Sequence, residues 1–161
     1  MKSYVLTGKI AERTYDSILR DIDKGKKPKI TVGHGLSCED INKIASLDLP
    51  IHVRGENWNR ELSNTTVLLH QNSSECVLID FLVTKNSIKR IYEVVEELIN
   101  NAHLFGTKLL LREWPLDFLR IHAEEWNRLI VSCLDHGIEM CWDSDKFAAT
   151  HRYEDYFRNI T

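Results

Sequence analysis

The stretch that decides the fold runs Ile30-Thr31-Val32-Gly33-His34-Gly35-Leu36-Ser37-Cys38-Glu39-Asp40-Ile41 and continues to Pro50-Ile51-His52-Val53. Ile30 to Val32 is short and β-branched, the composition of a strand, and two glycines then turn the chain. Ser37 followed three residues later by Asp40 reads as a helix start. The hydroxyl can accept from an exposed backbone N–H, and the acid is favoured by the positive end of the helix dipole. Ile41, Ile44, Ala45 and Leu47 give that helix one apolar stripe. Pro50 restarts the chain in extended form, and Ile51-His52-Val53 alternates as a strand does. Two strands joined through a helix need a crossover connection, which favours a parallel pair.

The same grammar extends in both directions. The stretch Tyr4 to Ile10 reads as a short strand ended by a glycine, Gly8, and Tyr15, Ile18, Leu19 and Ile22 form a helical stripe ended by Gly25 and Pro28. Beyond Val53, residues 56–63 show no clear period and read as a loop or short helical turn. Val67-Leu68-Leu69 and Cys76 to Val83 read as strands, compatible with an antiparallel hairpin through Gln71-Asn72-Ser73-Ser74. Asn86 is the expected cap of a helix carrying Ile88, Ile91, Val95, Leu98 and Ile99, with Gly106 after its end. Leu109-Leu110-Leu111 is a further strand. Pro115 opens a helix with Leu119, Ala123, Trp126, Ile130 and Cys133 inward, and Gly137 closes it. Ile138 to Trp142 is the last strand, and Ser144 can cap a terminal helix anchored by Phe147, Tyr153, Tyr156 and Phe157.

Strands alternating with long helices define an α/β fold, expected here as a mainly parallel, three-layer (Rossmann-like) sheet with helices on both faces. The whole chain, 1–161, is expected to form one globular domain. With 43% hydrophobic and 28% charged residues, it lacks the distortion that marks disordered, collagen-like or coiled-coil chains.

A formal net charge of -3 weighs against a protein that mainly neutralises phosphate backbones. The densest basic stretch, Lys24 to Lys29, reads as a solvated turn around Gly25 and Pro28. Four cysteines, Cys38, Cys76, Cys133 and Cys141, suggest reduced thiols and a cytoplasmic setting. No stretch reads as a signal peptide or a membrane span, so the two Asn-X-Ser/Thr tripeptides at Asn64 and Asn72 carry no weight.

In open parallel sheets, ligands gather beyond the carboxyl ends of the strands. The residues there form a polar set: Gly33, His34, Gly35 and Ser37, then Arg54, His70, Arg112 and Glu113. Two glycines before a capped helix allow close backbone approach by an anion, although the turn matches neither a GxGxxG fingerprint nor a Walker loop. His34 and His70 are the candidate catalytic bases, with Ser37, Cys38 or Ser63 as nucleophiles they could activate. Asp80 also stands out, since an acid within an apolar strand must be paired, neutralised or exposed. Cys133, His136 and Cys141 are the nearest approach to a metal set but lack ligand-pair spacing, so neither a metal nor a cofactor is expected.

Leu6 to Ile10, then Gly33-His34-Gly35, then Asn64 to His70-Gln71 loosely resembles the order of motifs in Clp-type peptidase subunits. That resemblance implies a degenerate subunit in which only His70 carries over. No serine with small neighbours stands near Gly55 to Asn59, the third triad member has no counterpart, and the Leu109 to Trp114 strand is extra. The leading expectation is a binding protein for a small anionic ligand or a protein partner, the latter through Trp58, Trp114, Trp142, Tyr153, Tyr156 or Phe157. Its rival is a hydrolase using His34 or His70.

Overall fold

The computed structural model describes residues 2–73, 75–84, 86–112 and 123–142, and the chain divides into two compact units, Met1–Leu78 and Ile79–Thr161. Strands and helices alternate throughout and every described register is parallel, which is the expected α/β class and is consistent with a three-layer, Rossmann-like sheet.

The first unit contains β1 (Ser3–Leu6), α1 (Glu12–Asp23), β2 (Lys29–Val32), α2 (Cys38–Ala45), β3 (Ile51–Arg54) and α3 (Arg60–Asn72). Leu6 pairs with Val32, and Val32 with Val53, so the ends of β1, β2 and β3 lie in register. In β3, Ile51 and Val53 are buried while His52 is half-buried and Arg54 exposed, the alternation read from the sequence; in β2, Ile30, Thr31 and Val32 are all buried. On α1, Ile18 is buried but Leu19 is 37% exposed, so the apolar stripe is narrower than its spacing suggested. Asp21 takes the inward place, and its carboxylate accepts the Tyr4 hydroxyl at 2.7 Å. Ser37 caps α2 as expected, its Oγ accepting the Asp40 N–H at 3.1 Å.

The Val67–Leu69 strand and its hairpin are overturned: these residues lie inside α3. Asn59 is the N-cap, its side-chain oxygen accepting the Leu62 N–H at 3.0 Å. Leu62, Thr65, Thr66 and Leu69 are buried at helical spacing. Thr66 donates its hydroxyl to the Leu62 carbonyl at 2.8 Å, so its polar group enters the core satisfied. Burying Leu62 and Leu69 is worth about 1.5–3 kcal/mol each, more than the few tenths by which threonine disfavours a helix. Beyond α3, the Ile51 N–H donates to the Cys76 carbonyl at 3.1 Å, where the chain enters β4 (Val77–Leu82).

The second unit takes up β4 at Ile79 and adds α4 (Ser87–Asn100), β5 (Lys108–Arg112), α5 (Ala123–Asp135) and β6 (Met140–Trp142). Ile79, Asp80 and Phe81 are consecutive and buried, as befits a strand covered on both sides. Asp80 is buried and has an interaction partner. Asn86 stands at the N-cap position of α4 as expected, but its side chain makes no capping bond; Ser87 Oγ accepts the Thr84 N–H at 2.8 Å and donates to the Thr84 carbonyl. Ile88, Ile91, Val94, Val95 and Leu98 form the inner face of α4, and Trp126, Leu129 and Cys133 that of α5. The start of the Pro115 helix and the terminal helix from Ser144 lie outside the described residues.

Within each unit the strands neighbour one another in chain order, β1-β2-β3 and β4-β5-β6. Among the described residues, neither unit contains the reversal of strand order that opens a ligand crevice in doubly wound sheets. No helix among them is long and apolar enough to cross a membrane.

Candidate functional site

The Gly33-His34-Gly35 turn packs directly on the turn that follows β1. Gly33 N–H donates to the Leu6 carbonyl, and Gly8 N–H to the His34 carbonyl, both at 2.8 Å. A Cβ at position 33 would stand 2.5 Å from Thr7 Cγ2. Gly35 has φ +80°, and a Cβ there would approach Gly8 Cα to 3.3 Å. The glycines therefore serve close backbone approach and a left-handed turn, conditions that any other residue meets only with strain.

This turn does hold an anion, and the anion is the protein's own. Glu61, on the first turn of α3, accepts the Gly35 N–H on Oε1 at 2.8 Å and the His34 Nδ1–H on Oε2 at 3.1 Å. Both side chains are about half exposed, 45% for His34 and 49% for Glu61. The Gly35 N–H, then the His34 hydrogen bond, hold the Glu61 carboxyl below the usual carboxylate range. With Nδ1 committed to Glu61, the imidazole is oriented and presents Nε2 away from the pair. Glu61 was invisible to pattern reading because it sat in the segment 56–63 that showed no period. The Asn59 to Leu62 capping pattern is the signal that could have placed it on a helix start.

The other candidates fall apart from this pair. Ser37 Oγ serves as the α2 cap, Cys38 is exposed, and Ser63 is buried on the inner face of α3. Arg54 is exposed at the end of β3, before a single helical turn at Gly55–Asn57. His70 stands on the last turn of α3 rather than at a strand end, half-buried and with its pKa lowered by desolvation. Arg112 ends β5 in the second unit, its carbonyl accepting the Val83 N–H at 2.9 Å, and its Nε is buried without a hydrogen-bond partner among the described residues. Glu113 lies outside the described residues, as do Trp114, Tyr153, Tyr156 and Phe157. Trp58 is 3% exposed and belongs to the core, which removes it from the interface candidates.

Cys133 is buried on α5, where desolvation pushes its thiol up to about 11. His136 Nδ1 is hydrogen-bonded to the Ser132 carbonyl at 2.8 Å. Among the described residues no three His, Cys, Asp or Glu side chains form a group that could hold a metal ion.

Beside the filled turn, an open groove of about 1060 Å³ runs between α1 and α2. The α1 side contributes Glu12, Tyr15, Asp16 and Leu19, the α2 side Glu39, Asp40 and Lys43, and the floor near Lys9 to Ala11 reaches Gly35 and Ser37. Asp40 ties α2 to the segment before α1, its Oδ2 accepting the Ile10 N–H at 3.3 Å. Tyr15 bridges α1 and α2, its hydroxyl donating to the Lys43 carbonyl at 3.4 Å.

Comparison with protein-family models, with curated proteins and with solved structures finds no match to this chain.

Proposed function

We propose that the protein acts by binding a protein partner in the groove between α1 and α2, within the cytoplasm. The observation that carries this reading is the Glu61 carboxylate on the Gly35 amide and His34 imidazole. A free anion at that turn would have to displace a carboxylate tethered to the same fold, whereas the groove alongside is open and presents Tyr15 and Leu19. A partly apolar concavity with a charged rim is the anatomy of a surface that receives another chain. The free thiols of Cys38, Cys76 and Cys133 support a reducing compartment.

Selection of random displayed peptides on the wild-type protein, counter-screened on Leu19→Arg, tests the proposal. Peptides that bind wild type and lose the variant are expected. Thermal stabilisation by phosphate or nucleotides that disappears in His34→Ala, with no groove-dependent peptide, would overturn it.

The oriented His34 ring favours a second reading, a hydrolase in which Nε2 accepts a proton. In that case His34→Ala would lower any measured hydrolytic activity by several orders of magnitude while leaving peptide binding in place.

A further inference from the structure

Helix α5 carries an apolar stripe on the flank turned away from α4. The Glu125 carbonyl accepts the Tyr92 hydroxyl of α4, and Trp126, Leu129 and Cys133 face the core. Asn127, Ile130, Val131 and Leu134 recur at three- and four-residue steps, which sets them on one line along the helix, on the opposite side from Glu125. Val131 is 40% and Leu134 71% exposed, and Ile130 is half-buried. A lone exposed leucine is ordinary, but this stripe also holds a polar anomaly: Asn127 Oδ1 is buried and has no hydrogen-bond partner among the described residues. An apolar stripe with an unpaired acceptor fits a neighbour that is itself apolar and carries a donor.

The chain itself supplies such a neighbour. β6 ends at Trp142, at the outer end of the order β4-β5-β6, and residues 143–161 follow it, outside the described residues. In their sequence Ala149, Tyr153, Tyr156, Phe157 and Ile160 recur at the same three- and four-residue steps, with Arg152, Asp155, Arg158 and Asn159 between them. A helix over 144–161 spans about 27 Å, enough to run the length of the 13-residue α5, about 20 Å. Consecutive elements pack as neighbours in most folds, and only β6 separates α5 from this stretch in the chain. Tyr153 and Tyr156 bring hydroxyl donors of the kind Asn127 Oδ1 lacks.

We propose that residues 144–161 form an amphipathic helix that docks on the Asn127-Ile130-Val131-Leu134 stripe of α5 and caps the β6 side of the second unit. Tyr153, Tyr156 and Phe157 then serve the fold, which takes them out of the surface offered to a partner. The groove between α1 and α2 lies in the other unit, so the two assignments stand or fall separately.

Amide hydrogen exchange of the full chain, read by mass spectrometry at two protein concentrations, tests this. The targets are wild type, Leu134→Asp on the stripe, and the control Phe105→Asp, which places the same charge at an exposed apolar residue off α5. Amides of 149–160 are expected to be protected in wild type and in the control, and to exchange about tenfold or more faster in Leu134→Asp, with β5 unchanged and no dependence on concentration. Absence of protection over 149–160 in wild type would overturn the proposal. Protection that survives Leu134→Asp would also overturn it, because the segment would then dock elsewhere. Protection that grows with protein concentration would give the stripe to a second copy of this chain and overturn the assignment within one chain. Leu134→Ala repeats the comparison if Leu134→Asp loosens β5 as well, with the same expected result and the same refutations.

Discussion

The Glu61 carboxylate accepts the Gly35 N–H at 2.8 Å, joining the first turn of α3 to the turn after β2 across 26 residues of chain. The second oxygen holds His34, so one side chain closes the strand-end turn that would otherwise offer its amide to a ligand.

This contact has a pH signature. Glu61 has a folded pKa below its unfolded value of about 4.3, so its contribution is fully present above that value and is lost as pH falls through the folded one. Glu61→Gln is expected to melt below wild type at pH 7, with the gap closing as pH drops below about 4. Melting curves from pH 7 to pH 3 check this, and a gap that stays constant would show that the charge of Glu61 is not what matters.

The two asparagines at helix starts should behave differently. Asn59→Ala removes the bond to the Leu62 N–H and is expected to cost about 1 kcal/mol in urea unfolding. Asn86→Ala removes no capping bond and is expected to stay within about 0.5 kcal/mol of wild type.

Tyr4 and Asp21 form a second titrating pair. The Tyr4 hydroxyl is the main cause of the lowered Asp21 pKa, ahead of the opposing desolvation and the attraction of Lys2. In Tyr4→Phe the Asp21 carboxyl is expected to titrate at higher pH, read from its side-chain carbon resonance. An unchanged midpoint would assign the shift to the lysines instead.

How much of this was legible in the sequence depends on what each element uses as its signal. The run from Ile30 to Val53 could be read outright, because its strands, Ser37 cap and apolar stripe all agree at short range. Helix α3 was hidden, because Ser63, Thr65 and Thr66 occupy inward positions and count as polar in any hydrophobic pattern. Only the Thr66 bond to Leu62 reveals how such a face can be buried. The Gly33-His34-Gly35 turn was recognised as suited to an anion, but which anion fills it depends on where α3 packs, and no local spacing encodes that. The groove was missed for a related reason: its two walls, α1 and α2, each looked like an ordinary amphipathic helix with a solvated outer face.

The thiols offer a check on the burial of α5. Cys133 is fully buried with its thiol pushed up to about 11, while Cys38 is exposed. Brief alkylation of the native protein at pH 8 is expected to label Cys38 and to leave Cys133 unmodified until denaturant is added, as read by peptide mass mapping.

The most direct measurement is a residue-resolved amide spectrum of the labelled protein, titrated separately with inorganic phosphate and with a peptide selected on the groove. The account expects the peptide to move the amides of Ile10, Tyr15, Leu19 and Lys43 in a saturable way, with phosphate leaving Gly35 in place. Saturable movement of the Gly35 and His34 amides by phosphate, with the α1 and α2 amides still, would contradict it.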